Sequence, residues 1–486
     1  MPYLLMSPMV VLRKMVASRL TGTIIAHLFL VGILAIRVVA DGPAPDLTSK
    51  VDALFAGCVH ANTPGAVVLV ARAGKRVLER QYGLARVDPR IAVTADTRFR
   101  IGSITKQFTA AAILKLEEKG RLSVNDPVSK FLPDWPKGGE VTLRHLLTHS
   151  SGIHNYTAKP GFQTGVTAAT PLAALIASFK DDPYDFAPGT QFRYSNSGYV
   201  LLSQIIEKVT GESYASFLRK TFFEPLGMKD TGVCPSGSPL TNGAIGYAYE
   251  DGKVRSSTDW EMSNVAGAGN LYSTAGDLFR WNEALFSGQV LSARSLADAF
   301  TVGVLVGDDP KHPEDTGYGC GWTIDRLGGA REISHGGELA GFGAYLLRLP
   351  EKNLTVVVLL NCVPHLPGLQ QWSLAREIAR LALGPELRQE ATTIAPFVPP
   401  SSVLKEITGR YDMGQGVLLA VTLEGERVFM EISGRPRFEI LPRSDRTFTV
   451  KSGEAEATFV RNAMGQVGKV ILKQAGERID APKLAE

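Results

Sequence analysis

The feature that most constrains this chain is the placement of its strand signals, which stand at both ends of a long helical middle. The stretch "GAVVLVARAGKRVLERQYGLA" (65–85) holds two β-rich runs around Ala73-Gly74-Lys75, a hairpin signature. Helical patterns then dominate from Pro127 to about Phe286, as in "SGYVLLSQIIEKVTG" and "TAGDLFRWNEALFSG". From Tyr318 the strand pattern returns, in "YGCGWTI", "AREISHGG" and "GFGAYLLRLPEKNLTVVVLLNC", and a helix over 366–382 follows. Strands that far apart in sequence must meet in one sheet to bury their apolar faces. The expectation is an α+β domain: an antiparallel β-sheet flanked by helices, with an inserted all-helical lobe.

Near residue 391 the texture changes. "ATTIAPFVPPSS" carries three prolines in a short polar stretch and reads as a linker, 391–403. Beyond it, short alternating strands separated by Gly, Asp and Asn ("VLLAVTLEGERVFMEI", "FEILPRSDRTFTV") predict a small all-β barrel over 404–486. At the other end, residues 1–40 contain Arg13, Lys14, Arg19 and Arg37, no acidic residue, and an apolar run from about Leu20 to Ile36. Val38 and Ala40 fit the small-residue rule for cleavage after Ala40, so this segment reads as a signal peptide or an N-terminal membrane anchor. The body of the protein is then exported, to a periplasm or beyond, with membrane association through that segment if it is retained. Those four basic residues account for the whole net charge of +4, so the charge is no argument for a nucleic-acid partner. Cys58, Cys234, Cys320 and Cys362 are widely spaced and form no metal knuckle or redox pair.

Chemistry is concentrated in three clusters. "IGSITKQFTAAAILKLEEKG" (101–120) reads as an apolar helix closed by Gly120, with Ser103 and Lys106 one turn apart at its start. A lysine beside a serine in an apolar setting can lose its proton and act as a base. The spacing alone is weak: Ser402 and Lys405 repeat it, and about one chance match is expected in a chain of this composition. That second pair falls in the linker with no apolar helix behind it. In "GTQFRYSNSGYVLL", Tyr194 and Asn196 are two apart and share a side of an extended stretch, on a loop before a helix. In "EISHGGELAGF", His335-Gly336-Gly337 ends a strand, where glycines let a substrate approach the backbone. Singly, each has a plain structural explanation: a cap, a turn, a bulge.

As an ordered set they resemble the serine β-lactamase and penicillin-binding-protein superfamily, in its β-lactamase-related, class C-like branch of carboxypeptidases, aminopeptidases and esterases. The superfamily is marked by Ser-x-x-Lys, a second motif that in this branch is Tyr-x-Asn, and a Lys-Thr-Gly-type strand that here is His-Gly-Gly. "LLTHSSGI" (146–153), "PLGMKDT" (225–231) and "YSTAGDLFRW" (272–281) also resemble family segments. The resemblance covers about 45–385, within a serine hydrolase domain of 41–390. The part from "TGRYD" onward resembles the lipocalin-like β domain often appended to such proteins. The resemblance implies a Ser103 acyl-enzyme and an oxyanion hole made by the amides of Ser103 and Glu338. Lys106 either takes the serine proton or holds Tyr194 as phenolate, and Tyr194 then serves deacylation. A free tyrosine has a pKa of about 10, so that role needs a neighbouring cation. Asn196, His335, Gly336 and Gly337 would contact substrate, with no cofactor and no metal. Lactam-hydrolysing relatives carry lysine where His335 stands. A histidine with a pKa of about 6.5 anchors a carboxylate less well, so a peptide or an ester is at least as good a substrate as a β-lactam.

Rival readings are weaker. No serine stands in Gly-x-Ser-x-Gly, as an α/β-hydrolase would need. A metal site built on His145, His149 and His154 lacks the glutamate of a His-Glu-x-x-His helix. The rival of another class is an inert penicillin- or peptidoglycan-binding or sensor protein on the same fold.

Overall fold

A computed structural model describes residues 45–236, 240–303, 317–387, 397–413, 417–432, 437–450, 455–462, 464–474 and 477–484. Residues 1–40, read above as a signal peptide or anchor, lie outside the described residues, as do residues 391–396 of the stretch read as linker. Among the described residues no helix is long and apolar enough to cross a membrane.

The strand-bearing segments at the two ends of the helical middle do share one sheet. Seven antiparallel strands run in the order Gly317–Tyr318, Thr323–Leu327, Ala330–Leu339, Phe342–Leu349, Leu354–Leu360, Ala66–Arg72 and Lys75–Tyr82. The N-terminal hairpin turns at Ala73 and Gly74, both in the left-handed region (φ 50° and 75°), the backbone that suits strand twist in a two-residue turn. It joins the C-terminal strands through Ala66–Arg72, paired residue by residue with Leu354–Leu360.

Both faces of this sheet are covered, which explains why its central strands are almost uninterruptedly apolar. Val67, Leu69, Ile333, Leu346 and Val357 face the core around the helix Thr105–Glu118. Their neighbours Val68, Val70, Leu347 and Val356 face a second core against the helices Pro45–Ala56 and Gln371–Leu383. The helix Thr105–Glu118 is the buried axis of the first core: from Thr105 to Leu114 no residue is exposed. Gly120 (φ 65°) closes it, and the Arg121 N–H returns to the Leu116 carbonyl at 2.9 Å.

The inserted lobe is helical but not all-helical, which corrects the sequence expectation. It contains the hairpin Tyr247–Glu250/Lys253–Ser256, and the short strand Gly232–Val233 pairs with Leu271–Ser273, which also pairs with Phe99–Arg100. The hairpin has a local cause in Asp251-Gly252, both at positive φ. The helix expected over 366–382 begins only at Gln371, because Pro367 and Gly368 (φ 78°) hold the preceding residues in a turn.

The C-terminal part is an up-and-down barrel of eight strands, Gly409–Asp412 through Glu477–Pro482, in sequential order. A bridge between Tyr411 and Lys483, and the Leu484 N–H donating to the Arg410 carbonyl, bring the last strand back to the first. Tyr411, Phe448 and Phe459 pack edge-to-face inside it. A short helix, Ser401–Ile407, starts inside the stretch read as linker and adds Leu404 and Ile407 to the same core.

Candidate active site

Ser103 sits in a 3-10 turn, Gly102–Ile104, that feeds directly into the helix Thr105–Glu118. Amides of a first turn have no intrahelical acceptor, so the Ser103 N–H is presented outward at the positive end of the helix dipole. Lys106, three residues on, is fully buried, and its Nζ lies 3.0 Å from Ser103 Oγ. Two further acceptors hold the amine, Asn196 Oδ1 and the Ala268 carbonyl, each at 2.8 Å. Burying an ammonium costs several kcal/mol. Each charge-assisted hydrogen bond returns about 1.5–3 kcal/mol, so three acceptors are what the burial demands.

The same geometry serves the uncharged amine. Asn196 Oδ1 and the Ala268 carbonyl can only accept, so each takes an N–H. A further position on nitrogen faces Ser103 Oγ and can hold either a proton or a lone pair able to receive the serine proton. Nζ also stands over the Tyr194 ring, 4.7 Å from its centroid, and 5.5 Å from that of Tyr199. These π-faces favour the charged form that proton transfer would create, by about 2 kcal/mol for a desolvated cation.

The segment after Tyr194 departs slightly from expectation. Ser195 is the extended N-cap and Asn196 is already the first residue of a helix, Asn196–Thr210. That start aims the Asn196 side chain inward, where Nδ2 donates to Thr157 Oγ1 at 3.0 Å while Oδ1 accepts from Lys106.

The His335-Gly336-Gly337 strand end is packed against the serine turn. A Cβ on Gly337 would fall 1.9 Å from the Ile101 carbonyl oxygen and 3.0 Å from Ser103 N. A Cβ on Gly102 would fall 2.9 Å from Glu338 N. The two backbones thus touch, and the amides of Ser103 and Glu338 come from segments in van der Waals contact. Glycine at 337 makes room for the Ile101–Ser103 backbone, which corrects the expectation that it serves substrate approach. Gly336 is less demanding, since a Cβ there would meet the Tyr345 ring at 3.3 Å. The Glu338 carboxylate points away from the serine side, with Gln371 Nε2 at 3.4 Å on the opposite face of the sheet.

His335 has different neighbours from those expected. It is buried, its Nδ1 donates to the Gly336 carbonyl, and its Nε2 accepts from the Tyr318 hydroxyl, each at 2.6 Å. Both nitrogens are committed within the protein, and the Tyr194 ring centroid is 6.4 Å away. Burial, with the Lys106 charge behind it, pushes its pKa down to about 3, so it is neutral at any ordinary pH. Of the three lobe histidines, His145 Nδ1 accepts from the Thr142 N–H, His149 Nδ1 from the Ser195 N–H, and His154 Nδ1 pairs with Asp185.

A cleft of about 200 Å³ opens over Ser103. Asn196, Thr157 and Gln163 give it a polar side, and Phe162, Trp260 and Leu339 an apolar one. Phe162 and Trp260 meet edge-to-face at 5.4 Å. Among the described residues, none that lines the cleft carries a guanidinium or an ammonium.

Ala268, Thr157, Tyr199 and Tyr318 escaped the sequence reading. Ala268 acts through its carbonyl, and a backbone atom leaves no mark in sequence. The glycines around it do: Gly267 is left-handed (φ 67°), and a Cβ there would fall 2.5 Å from Ser203 Cβ.

Comparison with known proteins agrees with this geometry. The Beta-lactamase family model matches residues 51–380. Penicillin-binding protein 4* of Bacillus subtilis (strain 168) is 29% identical over 411 residues, 81% of this chain and 89% of that protein. Among solved structures, the octameric penicillin-binding protein homologue from Pyrococcus abyssi superposes with a TM-score of 0.62 at 28% identity, covering 89% of this chain and 99% of that one. The D-amino acid amidase from Ochrobactrum anthropi SV3, complexed with D-phenylalanine, does so with 0.59 at 26% identity, covering 70% of this chain and 98% of that one.

Proposed function

Since the chain belongs to the Beta-lactamase family of serine hydrolases, we propose that it is an exported member that cleaves an amide or ester lacking a carboxylate through an acyl-enzyme at Ser103. One observation carries this reading: a fully buried lysine amine, pinned by two carbonyl oxygens, at 3.0 Å from a serine hydroxyl that lines a cleft.

In the acylation step Lys106 Nζ takes the Ser103 proton while Oγ attacks the substrate carbonyl. The oxyanion develops between the amides of Ser103 and Glu338, and one such donor is worth about 3 kcal/mol of barrier. The new ammonium keeps Asn196 Oδ1 and the Ala268 carbonyl as acceptors and gains from the Tyr194 and Tyr199 rings. Its third proton passes to the leaving amine or alkoxide. Tyr194, beside Lys106, then assists removal of a proton from the deacylating water.

The cleft supports this substrate class. Among the described residues, a lining without a cation and a neutral His335 with both nitrogens committed offer no anchor for a carboxylate. Penicillins and peptide C-termini carry one; amino acid amides and simple esters do not. The Phe162–Trp260 wall suits an apolar side chain on the acyl part. The relative from Ochrobactrum is a D-amino acid amidase, and a D-amino acid amide with an aromatic side chain is the reading favoured here. Export rests on the basic and apolar leader of residues 1–40.

A fluorophosphonate should label the wild type and leave Ser103→Ala unlabelled; label that persists in the variant would mean the nucleophile is another residue. A panel of D-phenylalanine amide, p-nitrophenyl butyrate, D-Ala-D-Ala peptide and nitrocefin then ranks substrates. The amide and the butyrate ester, which present no carboxylate, should lead, and a faster peptide or lactam would refute this substrate reading.

A further inference from the structure

The loop "LLTHSSGI" supplies a group that the mechanism above does not use. His149 is buried and stands in the left-handed region at φ 56°. It grips the segment before the helix Asn196–Thr210 twice. Its carbonyl accepts from the Arg193 N–H at 2.9 Å, and its ring Nδ1 accepts from the Ser195 N–H at 3.2 Å. The two amides bracket Tyr194, and the second belongs to the residue between Tyr194 and Asn196. The ring itself lies 4.2 Å from the Tyr194 ring, centroid to centroid, with Tyr318 at 4.6 Å and Tyr199 at 5.1 Å around it.

Resting on the acyl-enzyme reading, we propose that His149 is a positioning residue: a neutral ring whose Nδ1 and face fix the Tyr194–Asn196 turn against Lys106.

The unpaired nitrogen is the telling detail. Because Nδ1 accepts, the ring proton is on Nε2, and that buried N–H has no hydrogen-bond partner among the described residues. A residue needed only to fill space would be better as a phenyl ring, which leaves no polar atom stranded. What histidine adds over phenyl is the acceptor at Nδ1. The groups facing the ring are Lys106, His335, Tyr194, Tyr199 and Tyr318, and burial, then the Lys106 charge, hold its pKa well below 6.5. It therefore accepts the Ser195 amide throughout the working pH range and exchanges no proton in turnover.

Two variants of the full chain separate acceptor from ring. His149→Asn places Oδ1 near the Nδ1 position and tolerates a left-handed backbone; His149→Phe keeps a ring and removes the acceptor. With p-nitrophenyl butyrate, His149→Phe should lower kcat about 100-fold, the scale of an ångström misplacement at a site, with KM within about threefold. His149→Asn should keep kcat within about fivefold and leave both limbs of the pH profile unmoved. If the Phe variant does not fold, the Asn variant decides alone. An Asn variant that is folded, by its thermal melt, but as slow as the Phe variant is expected to be would overturn the proposal. So would a shifted pH limb, or a Phe variant with wild-type turnover. Failure of the underlying reading looks different: the wild type itself would neither turn over ester nor take fluorophosphonate on Ser103.

Discussion

Two Ser-x-x-Lys segments occur in this chain, each at the start of a helix, and only one has a buried lysine beside a cleft. Ser103 and Lys106 open a helix that is buried from Thr105 to Leu114, so the lysine must find its partners inside the protein. Ser402 and Lys405 open the seven-residue helix Ser401–Ile407, where Leu404 and Ile407 enter the barrel core and the serine and lysine are exposed. The same spacing puts hydroxyl and amine on one helix face in both. What differs is which face is dry. An exposed lysine is an ordinary solvated ammonium, whereas a buried one is held by whatever oxygens the fold brings to it. The motif acquires its chemistry from Asn196 and Ala268, residues that are 90 and 162 positions away.

Parallel substitutions in the two segments test that difference. Ser103→Ala should lower ester turnover by about 10⁴-fold or more, as loss of a nucleophile does, while Ser402→Ala should leave turnover within experimental error. Lys106→Met should cost about 10³-fold in kcat, within the range for loss of a general base. Lys405→Met should leave kcat unchanged and move stability by no more than about 0.5 kcal/mol, as exposed substitutions do. Equal effects at 106 and 405 would break the comparison outright. Tyr194→Phe, which keeps the ring over Lys106 and removes the hydroxyl, should cut turnover about 100-fold; no loss would reduce Tyr194 to its ring face.

The smallest effect concerns stability. His335 has its pKa pushed down to about 3 by burial, then by Lys106, so the unfolded chain binds a proton that the folded chain refuses between about pH 3 and 6.5. Stability from this group is complete above pH 6.5 and is lost as pH falls through that window. The melting temperature should therefore drop on acidification from pH 7 to 5, and less steeply in His335→Gln. Identical slopes would mean that His335 does not reside neutral in the fold.

Much of this architecture was legible beforehand because its causes are local or periodic. The Ala73-Gly74 hairpin follows from turn chemistry, and the shared sheet from strand patterns that no single end could bury. The Asp251-Gly252 hairpin had an equally clear local signal, obscured by the helical patterns on either side. The site was legible as three clusters but not as a geometry. Spacing placed Ser103 beside Lys106, yet the third acceptor is a backbone carbonyl and the partner of His335 is a tyrosine 17 residues upstream. Gly337 was read as an opening for substrate and proves to be a close fit against Ile101, since sequence shows the absence of a side chain and not what fills the space.

A crystal structure of the protein trapped with a slowly deacylating ester or phosphonate tests the central claim most directly. The adduct should be bonded to Ser103 Oγ, with its oxyanion or carbonyl oxygen about 2.7–3.1 Å from the amides of Ser103 and Glu338. Its apolar group should rest on Phe162 and Trp260. An adduct on any other residue, or an oxygen turned away from those two amides, would contradict the account.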